Sequence, residues 1–596
     1  MSGLSGEWRS TSQELPPDSY EQTPPGLYDL YPGFPVGNGK ISPGFATLAD
    51  RIARAGQVVI DGYIGVFWSH LRKQLDREFR RHALTVHWID AREAMLPEKK
   101  ITSMIRPYLG GDDPIFGKRF TGTLADFFEK RALKNLRPNP KAQVNILFGC
   151  GAALAGWKGL LIYIDLPKNE LQYRSRAGTV TNLGFAEPAP PKEMYKQYYF
   201  VDWVALNKHK CDLVDGVDLI VDSQKPERPM SMMGDDFRSG LREMSRNYFR
   251  VRPWFEPGAW GGQWAKQNIP DLPQDVPNYA WSFELISPEN GLMFESDGQL
   301  LEVSFDWLMY YDHEAILGEA SDLFGHEFPI RFDYLDTVEG GNLSVQCHPG
   351  YEYSREHFGE SFNQTETYYI MDRTPDASVY LGFQEGIDPE EFRRELEMSA
   401  REHTPVDIER YVQSFPTEKH RLYLHPSGTI HSQGAGNMVL EISSTPYIFT
   451  FKMYDWLRVD LDGNPRPLNI ERAFENLAFD RRGDRVQQEF ISQPRLMEEH
   501  SGWQLTHLPT HPLHFYDVHR YEFTDSVKAD TENMCHVMNL VEGDSIILET
   551  AEGRDQRINY AETFVVPAEA GEYRLVNQKG GKAMVVKAFV KSGWNF

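Results

Sequence analysis

The hydrophobic pattern of the chain changes near residue 250, and this change limits the folds that the chain can adopt. From about 46 to 235, short apolar runs such as QVVIDGY and GLLIYIDLP alternate with helical stretches such as FTGTLADFFEKRALKNL. This alternation is typical of an α/β domain with a parallel sheet. Beyond 250, short strand-like runs are separated by Gly, Pro, Asn and Asp, which is typical of double-sheet β-barrels. A chain of 596 residues is also too long for one hydrophobic core, so we expect several domains.

The pattern predicts four segments. Residues 1–45 are rich in Pro, Gly, Ser and Tyr and are predicted to form an irregular arm, followed by the α/β domain at 46–235. Residues 236–497 are predicted to form a β-barrel of the cupin or jelly-roll kind, with a helical insertion at about 388–415 that starts with DPEEF. A second cupin-like β domain is predicted at 498–596.

Composition and charge argue against several classes of function. The formal net charge of −24 opposes binding to DNA or RNA, which depends on clustered Lys and Arg. The longest apolar stretches are far shorter than the roughly 20 residues of a membrane helix. Only four cysteines are present and none forms a CxxC pair, which argues against thiolate zinc fingers and a disulfide framework. The first residues have no apolar core, so we expect no secretory signal and a cytoplasmic location.

Four side chains form a candidate metal site. Side chains alternate along a strand, so Gln346 and His348 in LSVQCHP point to the same side. Glu366 begins the strand-like run ETYYIM, and His431 follows the turn PSGT. Two imidazoles and two oxygen donors suit zinc or a similar first-row divalent ion and leave a position open for substrate. Taken singly, each of these residues is more often structural than a ligand.

The sequences around these four residues resemble class I mannose-6-phosphate isomerases. Five segments match family motifs in order, from about 260 to 482: LSVQCHP, QTETYYIM, YLGFQEG, PSGTIHSQG and YDWLRVDLDGNPRPLNIERA. The resemblance implies a zinc site at Gln346, His348, Glu366 and His431. It also implies a catalytic role for Arg458 and an acid, Glu441, that shuttles a proton. The implied reaction moves a proton between C1 and C2 of a sugar phosphate through a cis-enediol(ate), whose negative charge a cation stabilises.

The sequence departs from the family pattern on the side expected to hold the phosphate. Gln364 stands where the family has Lys two residues before the glutamate ligand, and Asp333 replaces another Lys. A dianionic phosphate needs Arg, Lys or backbone N–H groups, and Arg355, Arg458 or Arg466 would have to compensate. These departures weaken the case for mannose 6-phosphate, and we expect the substrate to be a sugar phosphate or a related sugar.

The α/β segment resembles a P-loop kinase whose phosphate loop has changed. A working loop reads GxxxxGK[ST], and here the run from Gly62 to Ser69 has Phe67 for the second Gly and Trp68 for the Lys. Without that lysine the charge that reaches the β- and γ-phosphates is lost. We predict a kinase-like fold without ATP chemistry that binds a partner, docks a second subunit or covers the isomerase site. A βα unit without kinase ancestry is the alternative.

Three functions remain open at this point. A zinc-dependent isomerase accounts for the complete ligand set together with Glu441 and Arg458. A non-catalytic sugar-binding or regulatory protein accounts for the altered phosphate loop and the two missing lysines. An iron cupin oxygenase is a third reading, although such enzymes use a different, His-rich pattern. The expected partner is a small sugar or sugar phosphate, and a homo-oligomer is possible.

Overall fold

The computed structural model describes residues 7–460, 463 and 465–596. Residues 1–6 of the predicted arm, and Leu461, Asp462 and Asn464 in the fifth family segment, lie outside the described residues. The described chain forms two compact units. The first unit contains residues 7–22, 31–245 and 288–313, and the second contains residues 23–30, 246–287 and 314–596. The four-segment division remains a prediction.

The first unit contains an α/β sheet. Its strand order is Ile41–Pro43, Met230–Met233, Leu219–Asp222, Leu160–Asp165, Gln57–Gly62, Val144–Phe148 and Val86–Asp90. The last five of these strands run parallel, whereas the first two pair antiparallel at one edge. The central strands are nearly continuous apolar runs and are buried. Such runs are expected where helices cover both faces of a parallel sheet.

Helices follow the strands of the first unit. They are Phe45–Ala55, Trp68–Arg81, Glu98–Ile105, Lys130–Asn135, Lys168–Arg176, Pro191–Gln197, Trp203–Leu213 and Gly234–Arg246, and a further helix, Asp306–Leu317, begins in this unit. The antiparallel hairpin Gly291–Ser296 and Gln299–Ser304 also lies in this unit, where Gly33–Pro35 pairs with its first strand.

The second unit begins with a pair of facing antiparallel sheets. One sheet has the order Trp254–Glu256, Trp281–Leu285, Ile330–Asp336, Asn437–Ser444, Glu366–Arg373 and Leu422–His425. The other has the order Val412–Pro416, Ser378–Phe383, His431–Gln433, Val345–Cys347 and Phe451–Tyr454. Apolar side chains from both sheets, including Tyr368 and Leu381, share one buried core. The sheets therefore enclose an interior that side chains from both can reach.

The helical part of the predicted insertion is the helix Pro389–Glu402. Asp388 caps it, because its Oδ1 accepts hydrogen bonds from the backbone N–H groups of Glu390 and Glu391 at 3.0 and 3.1 Å. The helix ends at His403, whose φ of 54° is left-handed, and the strand Val412–Pro416 follows. Shorter helices of this unit are Trp264–Asn268, Ser321–Phe324, Tyr351–Tyr353, Ile470–Asn476 and Asp484–Glu489.

Further antiparallel sheets form the end of the second unit. The larger sheet has the order Arg495–His500, Trp503–Leu508, Tyr516–Phe523, Ala583–Val590, His536–Glu542 and Thr563–Val566. The smaller sheet has the order Ser526–Asp530, Glu572–Asn577, Ser545–Thr550 and Asp555–Asn559. Throughout the described ranges, helices are too short or too polar to cross a bilayer.

Candidate metal centre

The predicted ligands converge from the facing sheets that begin the second unit. Gln346 lies in the strand Val345–Cys347, directly opposite His431 on the neighbouring strand, and His348 follows the same strand. Glu366 is the first residue of the strand Glu366–Arg373 in the facing sheet. The period-two spacing of Gln346 and His348 thus directs both side chains toward Glu366.

The donor atoms of these residues lie close together. His348 Nε2 is 3.0 Å from Glu366 Oε1, and His431 Nε2 is 3.3 Å from Glu366 Oε2. The Gln346 amide nitrogen lies 3.4 Å from His431 Nε2. A half-turn of that amide would place its oxygen, instead of its nitrogen, toward the donor atoms of the histidines and Glu366. One donor atom each from the two histidines and the glutamate lies within 4.8 Å of the others.

Backbone carbonyls define the tautomers of both histidines. His348 Nδ1 lies 3.1 Å from the Phe449 carbonyl oxygen, and His431 Nδ1 lies 2.9 Å from the Thr429 carbonyl oxygen. A carbonyl only accepts, so each Nδ1 donates, and each Nε2 presents a lone pair to Glu366. Hydrogen bonds of this kind orient histidine ligands in metal sites.

The arrangement brings hydrogen-bond acceptors face to face, which fits a bound cation. All four predicted ligands are buried. Across the described residues, neither His348 Nε2 nor Glu366 Oε2 has a hydrogen bond of acceptable geometry. Buried polar atoms are rarely left without partners, and a cation among these lone pairs would satisfy them together. His348, Glu366 and His431 therefore form a candidate metal-binding group, to which Gln346 can add an oxygen.

The pKa shifts agree with a ligand role. Burial raises the pKa of Glu366, but the two neighbouring histidines outweigh burial and hold it well below its usual value. Burial also lowers the pKa of His431. An ionised carboxylate and a neutral imidazole are the forms that coordinate metals.

Glu441 lies beside this group in the same sheet as Glu366. It stands opposite Asp333 on one neighbouring strand and Tyr368 on the other. Its carboxylate accepts hydrogen bonds from the Arg331 guanidinium and, at 2.9 Å, from the Ser443 hydroxyl. The Arg331 guanidinium thus links Glu441 to the candidate metal ligand Glu366.

Arg331 is a site residue that the sequence analysis missed. Its guanidinium pairs with Glu441, lies 3.2 Å from Asp333 Oδ1 and lies 3.6 Å from Glu366 Oε1. It stands two residues before Asp333, so both side chains lie on one face of the strand Ile330–Asp336. A cation is therefore present beside the position where the family has its lysine.

His425 was also missed. It is the direct cross-strand neighbour of Glu366, and its ring centroid lies 4.5 Å from that of His431. Burial lowers the pKa of His425 far below its usual value, and both ring nitrogens lack a hydrogen-bond partner in the part of the chain that the structure describes. The sequence signal for this residue was the motif LYLHPSGTIH, in which His425 stands six residues before His431.

Gln364, which stands where the family has lysine, supports the Glu366 carboxylate with an amide instead of a charge. Gln364 is buried and donates a hydrogen bond of 2.7 Å to Glu366 Oε1. Its amide therefore orients the carboxylate but adds no charge. The exposed Arg355 pairs with Glu352 within one helical turn.

Arg458 has a different set of partners. Its Nη2 lies 2.6 Å from Asp455 Oδ1, and Arg466 lies 2.7 Å from Asp455 Oδ2. Asp455 Oδ1 also accepts from the Ser344 hydroxyl at 2.8 Å. Within the described chain, no recorded hydrogen bond or ion pair joins Arg458 to the four predicted ligands. The two arginines and Asp455 form a cluster of net positive charge that is hydrogen-bonded to Ser344, two residues before Gln346.

In the first unit, a carboxylate accepts hydrogen bonds from backbone N–H groups at the start of the predicted phosphate loop and in the segment after the strand Val144–Phe148. Asp61, near the end of the central strand, accepts from the N–H groups of Gly62 and Gly151 at 2.7 and 2.9 Å. Its other oxygen accepts from the Ala153 N–H and contacts His209 Nε2, both at 2.8 Å. Asp61 is buried. The N–H group of Gly62, at the start of the loop, is therefore bonded to a side chain of the chain itself, as are those of Gly151 and Ala153.

Bulky side chains fill the rest of the loop. The Arg174 guanidinium carbon lies 4.4 Å from the centroid of the Phe67 ring, and Trp8 contacts the same ring edge-on at 5.9 Å. Trp68 begins the helix Trp68–Arg81 and packs against Phe148. The positions of the missing Gly and Lys are thus part of a packed aromatic cluster.

Two comparisons identify relatives by sequence, and a third compares folds. A family described as a domain of unknown function (DUF8485) matches residues 44–246. The chain is 27% identical over 270 residues to a mannose-6-phosphate isomerase of Streptococcus mutans, which covers 45% of this chain and 77% of that protein. It is 24% identical to mannose-6-phosphate isomerase ManA of Bacillus subtilis, over 54% of this chain and 94% of that protein.

Among solved structures, the mannose 6-phosphate isomerase from Bacillus subtilis matches with a TM-score of 0.46 and 18% identity, over 57% of this chain and 99% of that chain. Most of the length of each of the two sequence relatives is matched, and the match spans about half of this chain. These matches confirm the resemblance carried by the five motifs: over about half of its length, the chain is similar to proteins named mannose-6-phosphate isomerase. The resemblance of the α/β segment to a P-loop kinase is not confirmed, because residues 44–246 match a domain of unknown function.

Proposed function

We propose that the second unit is a metal-dependent aldose–ketose isomerase that interconverts a sugar phosphate pair, with mannose 6-phosphate and fructose 6-phosphate as the first candidates. One observation carries the proposal: buried donor atoms of His348, Glu366 and His431 converge on one point, and His348 Nε2 and Glu366 Oε2 have no hydrogen-bond partner among the described residues. The proteins named mannose-6-phosphate isomerase that match this chain support the same class of enzyme.

The proposed metal is Zn²⁺, held by Gln346, His348, Glu366 and His431. Two imidazoles and two oxygens suit zinc, although another first-row divalent ion fits the same donors. When bound, such an ion would supply Lewis-acid stabilisation of the negative charge that develops on substrate oxygen. The carbonyls of Phe449 and Thr429 keep both histidines in the ligating tautomer.

Glu441 is the proposed proton carrier. Isomerisation removes a proton from one of the carbons C1 and C2 and returns it to the other, through a cis-enediol(ate). Glu441 is buried beside Glu366, so it can act in a site that excludes bulk water. Arg331 contacts both carboxylates, and it holds Glu441 at a fixed position and opposes the build-up of negative charge.

Arg458 and Arg466 are the proposed phosphate-binding cations. Both contact Asp455, so two guanidinium groups share one carboxylate close to the strand that carries Gln346. Arginine pairs well with phosphate because its planar group donates two parallel hydrogen bonds. These arginines would compensate for the lysines that Gln364 and Asp333 replace.

A metal analysis combined with a substrate panel tests the proposal. We expect about one zinc per chain at the predicted ligands and chelator-sensitive conversion of mannose 6-phosphate to fructose 6-phosphate. The panel should also contain other hexose and pentose phosphates and free sugars. Sugar binding without turnover on every member would instead favour the non-catalytic sugar-binding protein. The cytoplasmic location and a homo-oligomeric state remain predictions.

For the first unit, the supported function is non-catalytic. A phosphate placed in the loop would meet the buried carboxylate of Asp61, and the N–H groups of Gly62, Gly151 and Ala153 already donate to it. The proposed role is therefore that of a kinase-like fold without phosphoryl transfer. We expect no ATP hydrolysis above background from the purified chain. Hydrolysis that disappears in a Ser69→Ala variant would contradict this assignment.

A further inference from the structure

Two neighbouring strands at the end of the second unit bring together a second group of potential ligands. His507, on the strand Trp503–Leu508, is directly opposite His519 on the strand Tyr516–Phe523. Asp517 precedes His519 by two residues, so the two share a face of their strand. All three belong to the larger of the two sheets there, far along the chain from the ligands proposed above.

The three side chains converge. His507 Nε2 lies 2.8 Å from Asp517 Oδ2, and the rings of His507 and His519 are 5.1 Å apart at an interplanar angle of 73°. One donor atom from each residue lies within 4.8 Å of the others. A small cation at this point could reach all three without a change in the backbone.

Asp517 is held with one oxygen directed at this point. Its Oδ1 accepts from the backbone N–H groups of Thr510 at 3.2 Å and Val518 at 3.0 Å, and the Thr510 hydroxyl lies 3.3 Å away. These bonds leave Oδ2 facing His507. Supporting hydrogen bonds of this kind orient carboxylates that bind metals.

His519 provides the second observation. Its Nδ1 is buried and, over the part of the chain described, has no hydrogen-bond partner. Burial, with a contribution from nearby Lys587, lowers the pKa of His519 to about 4. A neutral imidazole has one unshared electron pair, which is the donor that a metal ion uses. An unsatisfied buried nitrogen beside a second imidazole and an anchored carboxylate is unusual unless something binds there.

The group lies on the face that points into the space between the two sheets. Phe589 is opposite Asp517 on the next strand, and its ring meets that of His519 edge-on at 4.8 Å. On the same face, His536 Nδ1 lies 2.9 Å from the hydroxyl of Tyr573, which belongs to the facing sheet. An apolar ring thus shields one side of the group, although all three ligands remain partly exposed.

We propose that His507, Asp517 and His519 form a second site for a first-row divalent transition-metal ion, independent of the isomerase centre. Two imidazoles and one carboxylate suit Zn²⁺, Fe²⁺ or Co²⁺, and three protein ligands leave coordination positions open to water or a small anionic donor. The proposal does not rest on the isomerase function, because none of its residues contacts the first group in the structure described here.

Lys587 is the charge that opposes this site. It is the cross-strand neighbour of His519, and its Nζ lies 3.4 Å from the Tyr521 hydroxyl. Burial lowers the pKa of Lys587 to about 8. A positive charge here weakens the binding of a divalent cation, so removing it should tighten binding.

Metal titration of the chelator-stripped full chain tests the site. Zn²⁺ binding is followed by calorimetry, and the absorption of Co²⁺ in the visible range reports each site separately. The wild type is expected to bind two ions. A His507→Gln, His519→Gln variant should bind one, and a His348→Ala variant should lose the other and keep the cobalt spectrum of the second site.

Lys587→Met gives an independent measurement that does not remove a ligand. It is expected to tighten the second site about 3-fold or more, since a nearby positive charge is lost. Circular dichroism establishes that each variant is folded. Unchanged stoichiometry and affinity in the double-glutamine variant would overturn the proposal and would leave the His507–Asp517 contact as a structural hydrogen bond. That result would not touch the isomerase proposal, which depends on His348.

Discussion

Replacement of His348 by alanine is expected to remove the metal from the isomerase centre and to lower kcat/KM by about 10³-fold or more, equivalent to about 4 kcal/mol of transition-state stabilisation. His348 supplies one of the lone pairs that face Glu366, and its tautomer is fixed by the Phe449 carbonyl. Without it, a coordination position and the orientation of Glu366 are both lost. The measurements are metal content and steady-state kinetics on mannose 6-phosphate.

A matched control separates this effect from a general effect of losing a histidine. His500 lies in an exposed hairpin and contacts only Glu498 and Trp503 in the contacts recorded for it. A His500→Ala variant should keep its metal and its rate. Full activity of the His348→Ala variant, with metal retained, would show that the ligand set is assigned wrongly.

The metal ligands show how far the sequence leads. Gln346 and His348 lie two residues apart in one strand, so their common direction follows from the strand period alone. Glu366 and His431 lie on other strands, and only the resemblance to the isomerase family connected them to the first two. Their approach depends on the facing of two sheets and on the direct pairing of Gln346 with His431. No local pattern encodes that pairing.

Long-range register also explains what was missed. Arg331 enters the site because the strand Ile330–Asp336 pairs with Asn437–Ser444, which places Asp333 opposite Glu441. His425 enters because it pairs with Glu366. Motif comparison draws attention only to positions where the family has a ligand or a lysine. It therefore identified the loss of a lysine at Asp333 but not the arginine at position 331.

The first unit gives a similar lesson. The altered loop was visible in the sequence because Phe67 and Trp68 occupy the Gly and Lys positions. The role of Asp61 was not visible, because this residue meets Gly151 and His209 only through the parallel sheet and a following helix. The strand Gln299–Ser304 lies in this unit although it follows the change to short strand-like runs near residue 250. A strand pattern does not reveal which sheet the strand joins.

Replacement of Arg331 by methionine is expected to lower the free energy of unfolding of the metal-free protein by about 3–5 kcal/mol, the usual effect of removing one member of a buried ion cluster. Asp333, Glu366 and Glu441 are all buried, and Arg331 contacts each of them. Methionine keeps most of the side-chain volume but leaves these carboxylates without their shared cation. Urea unfolding in the presence of a chelator measures the effect.

A second substitution tests whether charge is the cause. Asp333 is on the same strand face as Arg331 and stands where the isomerase family has lysine. Adding Asp333→Lys to the Arg331→Met variant removes one carboxylate and restores a cation, so most of the lost stability should return. An Arg373→Met change at the exposed end of the strand Glu366–Arg373 is the matched control and should stay within about 0.5 kcal/mol of the wild type. Saturating zinc should also reduce the loss of unfolding free energy in the Arg331→Met variant, since a cation bound to Glu366 replaces part of the missing charge.

In the metal-free Arg331→Met variant, a loss of unfolding free energy below about 1 kcal/mol is typical of an exposed ion pair. Such a result would mean that Arg331 does not hold these carboxylates together.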